Sequence, residues 1–359
     1  MKTLADRIRR HGEAMPPGLY QHLMQAMADD WEAGGVVRRL LGEDAPTAAV
    51  VQLRLLAGVQ RLVLRRVTPE LTMYYPNLGG TASPEHAWAD VEPVLRAHFA
   101  ELQEALQLAP QTNEVGRSAA LLIGLFDVVR RAGTARIRLL EVGASAGLNL
   151  LVDRYRFSGE GWSYGPIDSP LHLSDVSIGA VQPAGFSIVD RRGCDLSPVD
   201  AGTVEGRLRL TSFVWPHDLH RHERLRAALQ VAQAHPVQVD AAAGSDWLQQ
   251  QLADTPDPGV LTVVWYSVTR QYWPLQEIRA VDAAIAQARR RLPLATVCME
   301  SPVSAADSTP VRGFRPAELT VQLSRPAGEA DPHPVVLGTV ADHGVPVRLA
   351  AAAATSADR

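Results

Sequence analysis

Residues 136–152, Arg-Ile-Arg-Leu-Leu-Glu-Val-Gly-Ala-Ser-Ala-Gly-Leu-Asn-Leu-Leu-Val, constrain the fold more than any other stretch of the chain. A run of strand-forming residues ends on a carboxylate, breaks at two glycines and resumes as an apolar helical pattern. That order predicts a buried strand, a tight loop and a helix, the unit from which parallel sheets with crossover connections are built. Gly143 and Gly147 let the backbone approach a ligand, and the amides that open the next helix would face a carboxylate or phosphate. Glu141 stands at the carboxyl edge of the strand, where open α/β sheets bind ligands.

The remaining sequence divides around this unit. From Pro17 to about Pro110 the periodicity is helical. Ser83-Pro84-Glu85 reads as a helix start, with Trp88, Val91, Leu95, Phe99, Leu102 and Leu106 on one face, and a second helix carries Val50, Leu53, Leu56, Val59 and Val63. Between them, Met73 to Gly80 is a loop whose two tyrosines line a pocket or pack. After Pro110, strand and helix alternate. Thr112-Asn113 would cap a helix running to Gly133. Strands are expected at 136–142, 185–189, 236–239, 260–266 and 295–299, with helices at 219–235 and 275–291. Residues 318–323, 335–340 and 345–349 follow one another without helices, around a turn at Asp342-His343-Gly344, and predict antiparallel strands at one edge. The reading is a helical N-terminal cap region at 1–111, an α/β domain at 112–350 with 155–184 inserted as a hairpin or flap, and a disordered tail at 351–359.

Composition narrows the chemistry. Lys2 is the only lysine among 359 residues, which argues against a Walker phosphate loop, a pyridoxal phosphate Schiff base and the protein-kinase pattern. A net charge of -4 gives no electrostatic reason to expect nucleic acid or an anionic membrane. With 46% hydrophobic residues, a substantial core is expected. The N-terminal residues carry no signal-like apolar run, and Cys194 and Cys298 are too few for a cysteine zinc cage or a disulfide framework. A cytoplasmic protein is expected, with a small molecule as partner and no resident metal. His217, His220 and His222 read as solvated surface.

Three chemistries compete for the glycine loop. A nicotinamide or flavin dinucleotide needs G-x-G-x-x-G, and serine stands where the second glycine belongs. A serine hydrolase fits Gly143-Ala144-Ser145-Ala146-Gly147 as G-x-S-x-G, with Asp307 and then His333 or His343 completing the order. Against it, the elbow would follow the first strand and no upstream oxyanion loop is present. S-adenosylmethionine fits the form E/D-x-G-x-x-x-G through Glu141, Gly143 and Gly147, with Ser145 and Asn149 in the same loop. Asp195 would take the ribose hydroxyls in paired hydrogen bonds, and Asp240 the adenine amino group.

At these residues the chain resembles an uncharacterised bacterial family, domain of unknown function 2332. The resembling stretches are residues 112–117, 141–151, 193–200, 214–216 and 263–272. The resemblance implies an α/β, Rossmann-like class I methyltransferase-type sheet, mostly parallel with antiparallel edge strands, beside a helical N-terminal cap domain. It implies a methyltransferase acting on a small molecule, or a scaffold that has kept the shape without the reaction. Members of that family carry His-Ser or His-Thr after the fourth strand, where this chain has Tyr266-Ser267. His217 replaces the acid that follows Trp-Pro in relatives. By position, Tyr266 and Ser267 would orient the methyl acceptor and Arg270 would hold an acidic substrate. Glu300 and Glu114 would point toward the same crevice.

Overall fold

Among the described residues, twelve strands define the architecture: β1 (Arg136–Val142), β2 (Arg156–Gly159), β3 (Trp162–Tyr164), β4 (His172–Leu173), β5 (Ser177–Ile178), β6 (Ser187–Asp195), β7 (Val239–Ala241), β8 (Val260–Ser267), β9 (Leu294–Glu300), β10 (Ala317–Ser324), β11 (Val335–Val340) and β12 (Val347–Leu349). The computed structural model describes residues 3–42, 50–253, 257, 259–302, 316–324, 331–341 and 343–350. The expectations for Asp307, Asp342 and the tail at 351–359 lie outside the described residues.

Nine strands form one mixed, mostly parallel sheet in the order β5-β12-β11-β10-β9-β8-β1-β6-β7. The run from β7 through β6, β1 and β8 to β9 is parallel throughout. The chain leaves β1 outward through β6 and β7, then returns to pair β8 on the other side of β1. The two crossover series therefore part between β1 and β8, the place where open α/β sheets leave a crevice at the carboxyl ends of their strands. Sequence accounts for the strand types. In β8 every residue but the last is buried, as a continuous apolar run in a covered parallel strand must be. In β10 buried residues alternate with half-buried ones over most of its length, and it pairs antiparallel with both β9 and β11. Residues 155–184 supply the small sheet β3-β2-β4 and the short edge strand β5.

The helices are α1 (Leu4–Glu13), α2 (Leu19–Glu32), α3 (Val36–Leu41), α4 (Val51–Leu64), α5 (Ala87–Ala97), α6 (Phe99–Leu106), α7 (Ser118–Ala132), α8 (Val204–Ser212), α9 (Leu219–Ala234), α10 (Gly244–Gln251) and α11 (Leu275–Ala288). Two units emerge: residues 1–112 with 203–225, and residues 113–202 with 226–359. The first is helical. In it α1 packs on α2, and α4 packs on both α6 and α8. The helical run expected to continue past residue 97 breaks at His98, whose φ of -108° and ψ of 27° separate α5 from α6. The tyrosines of the 73–80 loop pack: Tyr75 is fully buried, and the Tyr74 hydroxyl donates to Asp90 at 2.6 Å.

In the second unit, alternation along each strand divides the sheet into two faces. Leu140, Val142, Cys194, Val264, Tyr266 and Cys298 share one apolar cluster with Trp247 and Leu248 of α10 and Val281 and Ile285 of α11. Glu141, Trp265 and Val297, one residue out of step, lie on the other face. There α7 packs on β9 and β10, and a Cβ on Gly124 would stand 2.3 Å from Val297 Cγ1. Only a glycine permits that approach. Gly124→Ala is expected to overpack this interface by about 1–3 kcal/mol, read as a lower thermal midpoint in circular dichroism.

Candidate ligand site at the carboxyl edge of β1

The loop after β1 alternates left-handed residues, with φ of 74° at Gly143, 54° at Ser145 and 72° at Gly147. Successive amides in such a path turn inward and form an anion-binding concavity. Here the protein's own oxygens fill it. Gly143 and Ala144 N–H both donate to the Cys194 carbonyl at 2.9 Å, and Gly147 N–H donates to the Ala144 carbonyl at 2.7 Å. Ser145 N–H donates to Asp195 Oδ2 at 2.9 Å, and Ala146 and Leu148 N–H both donate to Asn113 Oδ1 at 3.1 and 3.0 Å.

These bonds correct two expectations. The loop amides from 143 to 148 are occupied internally and do not face a ligand. The segment after the loop is a seven-residue 3-10 stretch, Leu148–Arg154, kinked at Leu151 (φ -94°, ψ 18°), and offers no α-helical N-terminus. Asn113 does not cap a helix either. Glu114 caps the short turn Val115–Arg117 by accepting from Gly116 N–H at 3.1 Å, and α7 follows from Ser118.

What remains for a ligand is a set of buried side-chain atoms. Glu141 Oε2, Ser145 Oγ, Asn149 Oδ1 and Trp265 Nε1 are enclosed and have no hydrogen-bond partner among the described residues. They are neighbours: Asn149 Nδ2 reaches Glu141 Oε1 at 3.4 Å, and Trp265 stands directly opposite Glu141 in the β1–β8 ladder. Each such atom costs about 1–3 kcal/mol, so their concentration at one strand end calls for a functional reason. Burial pushes the Glu141 carboxyl up to about 8. The hydrogen bond from Asn149 Nδ2 and the nearby Trp265 indole oppose that rise. Asp195 adds to it and Arg117 again opposes it. Glu141 is therefore largely protonated near neutrality.

Asp195 lies on the same face as Glu141, since Glu141 pairs with Gly193 in the β1–β6 ladder. Its carboxylate clasps the loop, taking Ser145 N–H through Oδ2 and Ser197 N–H through Oδ1, both at 2.9 Å. Asp240 pairs with Cys194 and so belongs to the opposite face, where its oxygens take Gln238 Nε2 and Trp247 Nε1, each at 2.8 Å. The structure thus brings Glu141, Ser145, Asn149 and Asp195 together and leaves Asp240 apart.

The acceptor-side candidates separate as well. Tyr266 is buried in the α10–α11 cluster beside Trp273, its hydroxyl pushed far up by burial and by Cys298. Arg270 is engaged by Asp282 in a two-pronged ion pair, both contacts at 2.7 Å. Ser267 is half-buried at the end of β8, and its carbonyl accepts from Arg117 Nη1 at 3.2 Å. Glu300 accepts Thr269 and Arg270 N–H through Oε1 at 2.9 and 3.1 Å, and burial pushes it up to about 7.

Two other constellations resolve differently. Ser145 Oγ has no partner to take its proton; His343 Nδ1 stands 3.9 Å from Glu114 Oε2, and His333 is exposed. Of the three clustered histidines only His220 is solvated. His217 packs on Trp215 with ring centres 5.8 Å apart, and His222 Nε2 lies 3.1 Å from the Trp215 carbonyl. Among the described residues no three His, Cys, Asp or Glu side chains are grouped to hold a metal ion. No helix there is long and apolar enough to cross a membrane.

Trp265 and Thr269 were not foreseen as site residues. An indole inside an apolar strand run was the available signal for the first.

An acid beside a glycine loop at the parting of two crossover series gives this mixed α/β protein a candidate ligand site at the carboxyl edge of its sheet. The chain belongs to the family described as uncharacterized protein conserved in bacteria (DUF2332), whose pattern matches residues 5–348. No curated protein matches it.

The Glu141 proton has a stability signature. Because its folded pKa lies above the ordinary carboxylate value of 4.5, folding takes up a proton between about pH 4.5 and 8. The group's contribution is most favourable below that window and declines as pH rises through it. Glu141→Gln should remove the decline and raise the thermal midpoint at pH 8 by roughly 5 °C while leaving pH 5 nearly unchanged. Melting curves across that range check it.

Proposed function

We propose that this protein binds S-adenosylmethionine at the carboxyl edge of β1 and β6 and transfers its methyl group to a small molecule. The observation that carries the reading is the set of buried, unsatisfied atoms on Glu141, Ser145, Asn149 and Trp265 beside the Asp195 carboxylate. Asn149 Oδ1, and Glu141 Oε2 once the carboxyl has lost its proton, would accept from the amino group of the methionyl part. The Asp195 carboxylate, which takes the loop's Ser145 N–H at the end of β6, would accept from the ribose hydroxyls. The parallel order β7-β6-β1-β8-β9 is that expected of a Rossmann-like methyltransferase sheet and supports the same reading. Asp240, Tyr266 and Arg270 take structural parts in it.

The cofactor supplies a methyl group on a sulfonium, a good leaving group, so placement of the acceptor contributes much of the acceleration. On the acceptor side Ser267 is the remaining hydroxyl of the β8 edge. A base is needed only for an acceptor that must lose a proton. The reading goes with a cytoplasmic protein whose two cysteines stay reduced. Hydrolysis at Ser145 has the left-handed backbone of an elbow in its favour, but its hydroxyl has no base among the described residues.

Calorimetric titration with S-adenosylmethionine and S-adenosylhomocysteine tests the proposal. Micromolar affinity for at least one is expected, weakened about tenfold or more in Asp195→Ala. Asp195→Asn, which keeps an acceptor for Ser145 N–H, separates loss of charge from loss of the clasp. No binding by folded protein to either compound would overturn the reading in favour of Ser145 hydrolysis or a scaffold without the cofactor.

A further inference from the structure

Val268, the residue that follows β8, has φ of 49°, a left-handed conformation that a β-branched side chain rarely adopts. It opens the segment 268–273, which contains the 3-10 turn Arg270–Tyr272 and exposes Gln271 and Tyr272. The Thr269 side chain lies on the glycine loop, where a Cβ on Gly143 would stand 2.6 Å from Thr269 Oγ1. Behind that loop are the enclosed, partnerless atoms of Glu141, Ser145, Asn149 and Trp265.

The segment is held at its start and along one side. Val268 N–H donates to the Met299 carbonyl at 2.9 Å, and Arg117 holds the Ser267 carbonyl just before it. The half-buried Glu300 carboxylate takes the next two amides, Thr269 and Arg270, on a single oxygen. Those two bonds hold Thr269 down on Gly143 while Val268 remains strained. Further along, Arg270 is tied to Asp282 and Trp273 packs on Tyr266, so release of the two Glu300 bonds would free only the start of the segment, letting Val268 relax to extended backbone and Thr269 lift away.

We propose that Val268 and Thr269, at the start of this segment, are a gate over the carboxyl edge of β1, closed in this structure, that the Glu300 carboxylate is its latch, and that Arg270 and Trp273 are its fixed end. The gate explains why a ligand site has unsatisfied polar atoms yet no exposure at them. The molecule it admits carries both a hydrogen-bond donor, for Asn149 Oδ1, and an acceptor, for Trp265 Nε1. The proposal rests on the reading of this edge as a ligand site, but its test uses no ligand.

A cysteine at position 145 reports access. Ser145→Cys protein is treated with iodoacetamide and alkylation at each cysteine is followed by peptide mass spectrometry; Cys194 and Cys298, both buried, serve as internal references. In the Ser145→Cys background, Glu300→Ala is expected to speed alkylation at position 145 about tenfold or more, with Cys194 and Cys298 unchanged. Glu300→Gln, whose amide oxygen still accepts both N–H groups, is expected to remain close to the parent. Hydrogen exchange at the Thr269 and Arg270 amides should follow the same order. Equal alkylation rates with and without Glu300→Ala would overturn the proposal, as would an acceleration shared by all three cysteines. If Glu300→Ala does not fold, Val268→Gly decides. By relieving the strain of the closed form it should slow alkylation at position 145, and an unchanged rate would overturn the gate. Failure of the calorimetry with S-adenosylmethionine would leave these rates, and the gate, standing on their own.

Discussion

Six consecutive amides, from Gly143 to Leu148, are satisfied by oxygens of the protein itself, and the carboxyl edge of the sheet depends on that closure. The acceptors come from three places in the chain: the end of β6, the turn that precedes α7, and the loop's own Ala144. Asn113 serves two amides from a left-handed backbone, φ 40°, that asparagine tolerates better than most residues. Asp195 joins the loop to the backbone that follows β6. With the amides taken, whatever this edge recognises it must recognise through side chains.

That constraint gives the two faces of the sheet different chemistry. On the face of Glu141 and Trp265, burial leaves polar atoms without partners and a carboxyl that holds its proton near neutrality. On the face of Tyr266 and Cys298, one step out of phase, the cluster is apolar and the charged groups at its rim are paired, Arg270 with Asp282 and Ser245 with Glu277. A shift of one residue along β8 separates an atom seeking a partner from a hydroxyl packed into the core.

The strands were legible because burial on both faces writes long apolar runs, as in β8, and burial on one face writes the alternation of β10. The glycine loop was legible from its left-handed positions. The segment after it was not: Leu148 to Arg154 has helical periodicity, but the bond from Tyr155 Oη to the Leu148 carbonyl and the kink at Leu151 stop an α-helix from forming. Asn113 looked like a helix cap because its distant partners, Ala146 and Leu148, are more than 30 residues away in sequence. Tyr266 looked like a site residue because position along a strand does not tell which face of the sheet it joins until the register against β1 is known. The left-handed conformation of Val268 has no sequence signal, since valine is among the residues least suited to it.

The path between β6 and β7 runs out of the sheet-bearing unit, through residues 203–225 of the helical one, and back. The helix α8 on that excursion packs against α4. The polypeptide therefore passes between the two units three times, at 112, at 203 and at 225. The helical unit is consequently not a detachable prefix: a gene fragment ending at residue 112 would omit one of its own helices, and the sheet could not be rearranged in evolution by exchanging the N-terminal half alone.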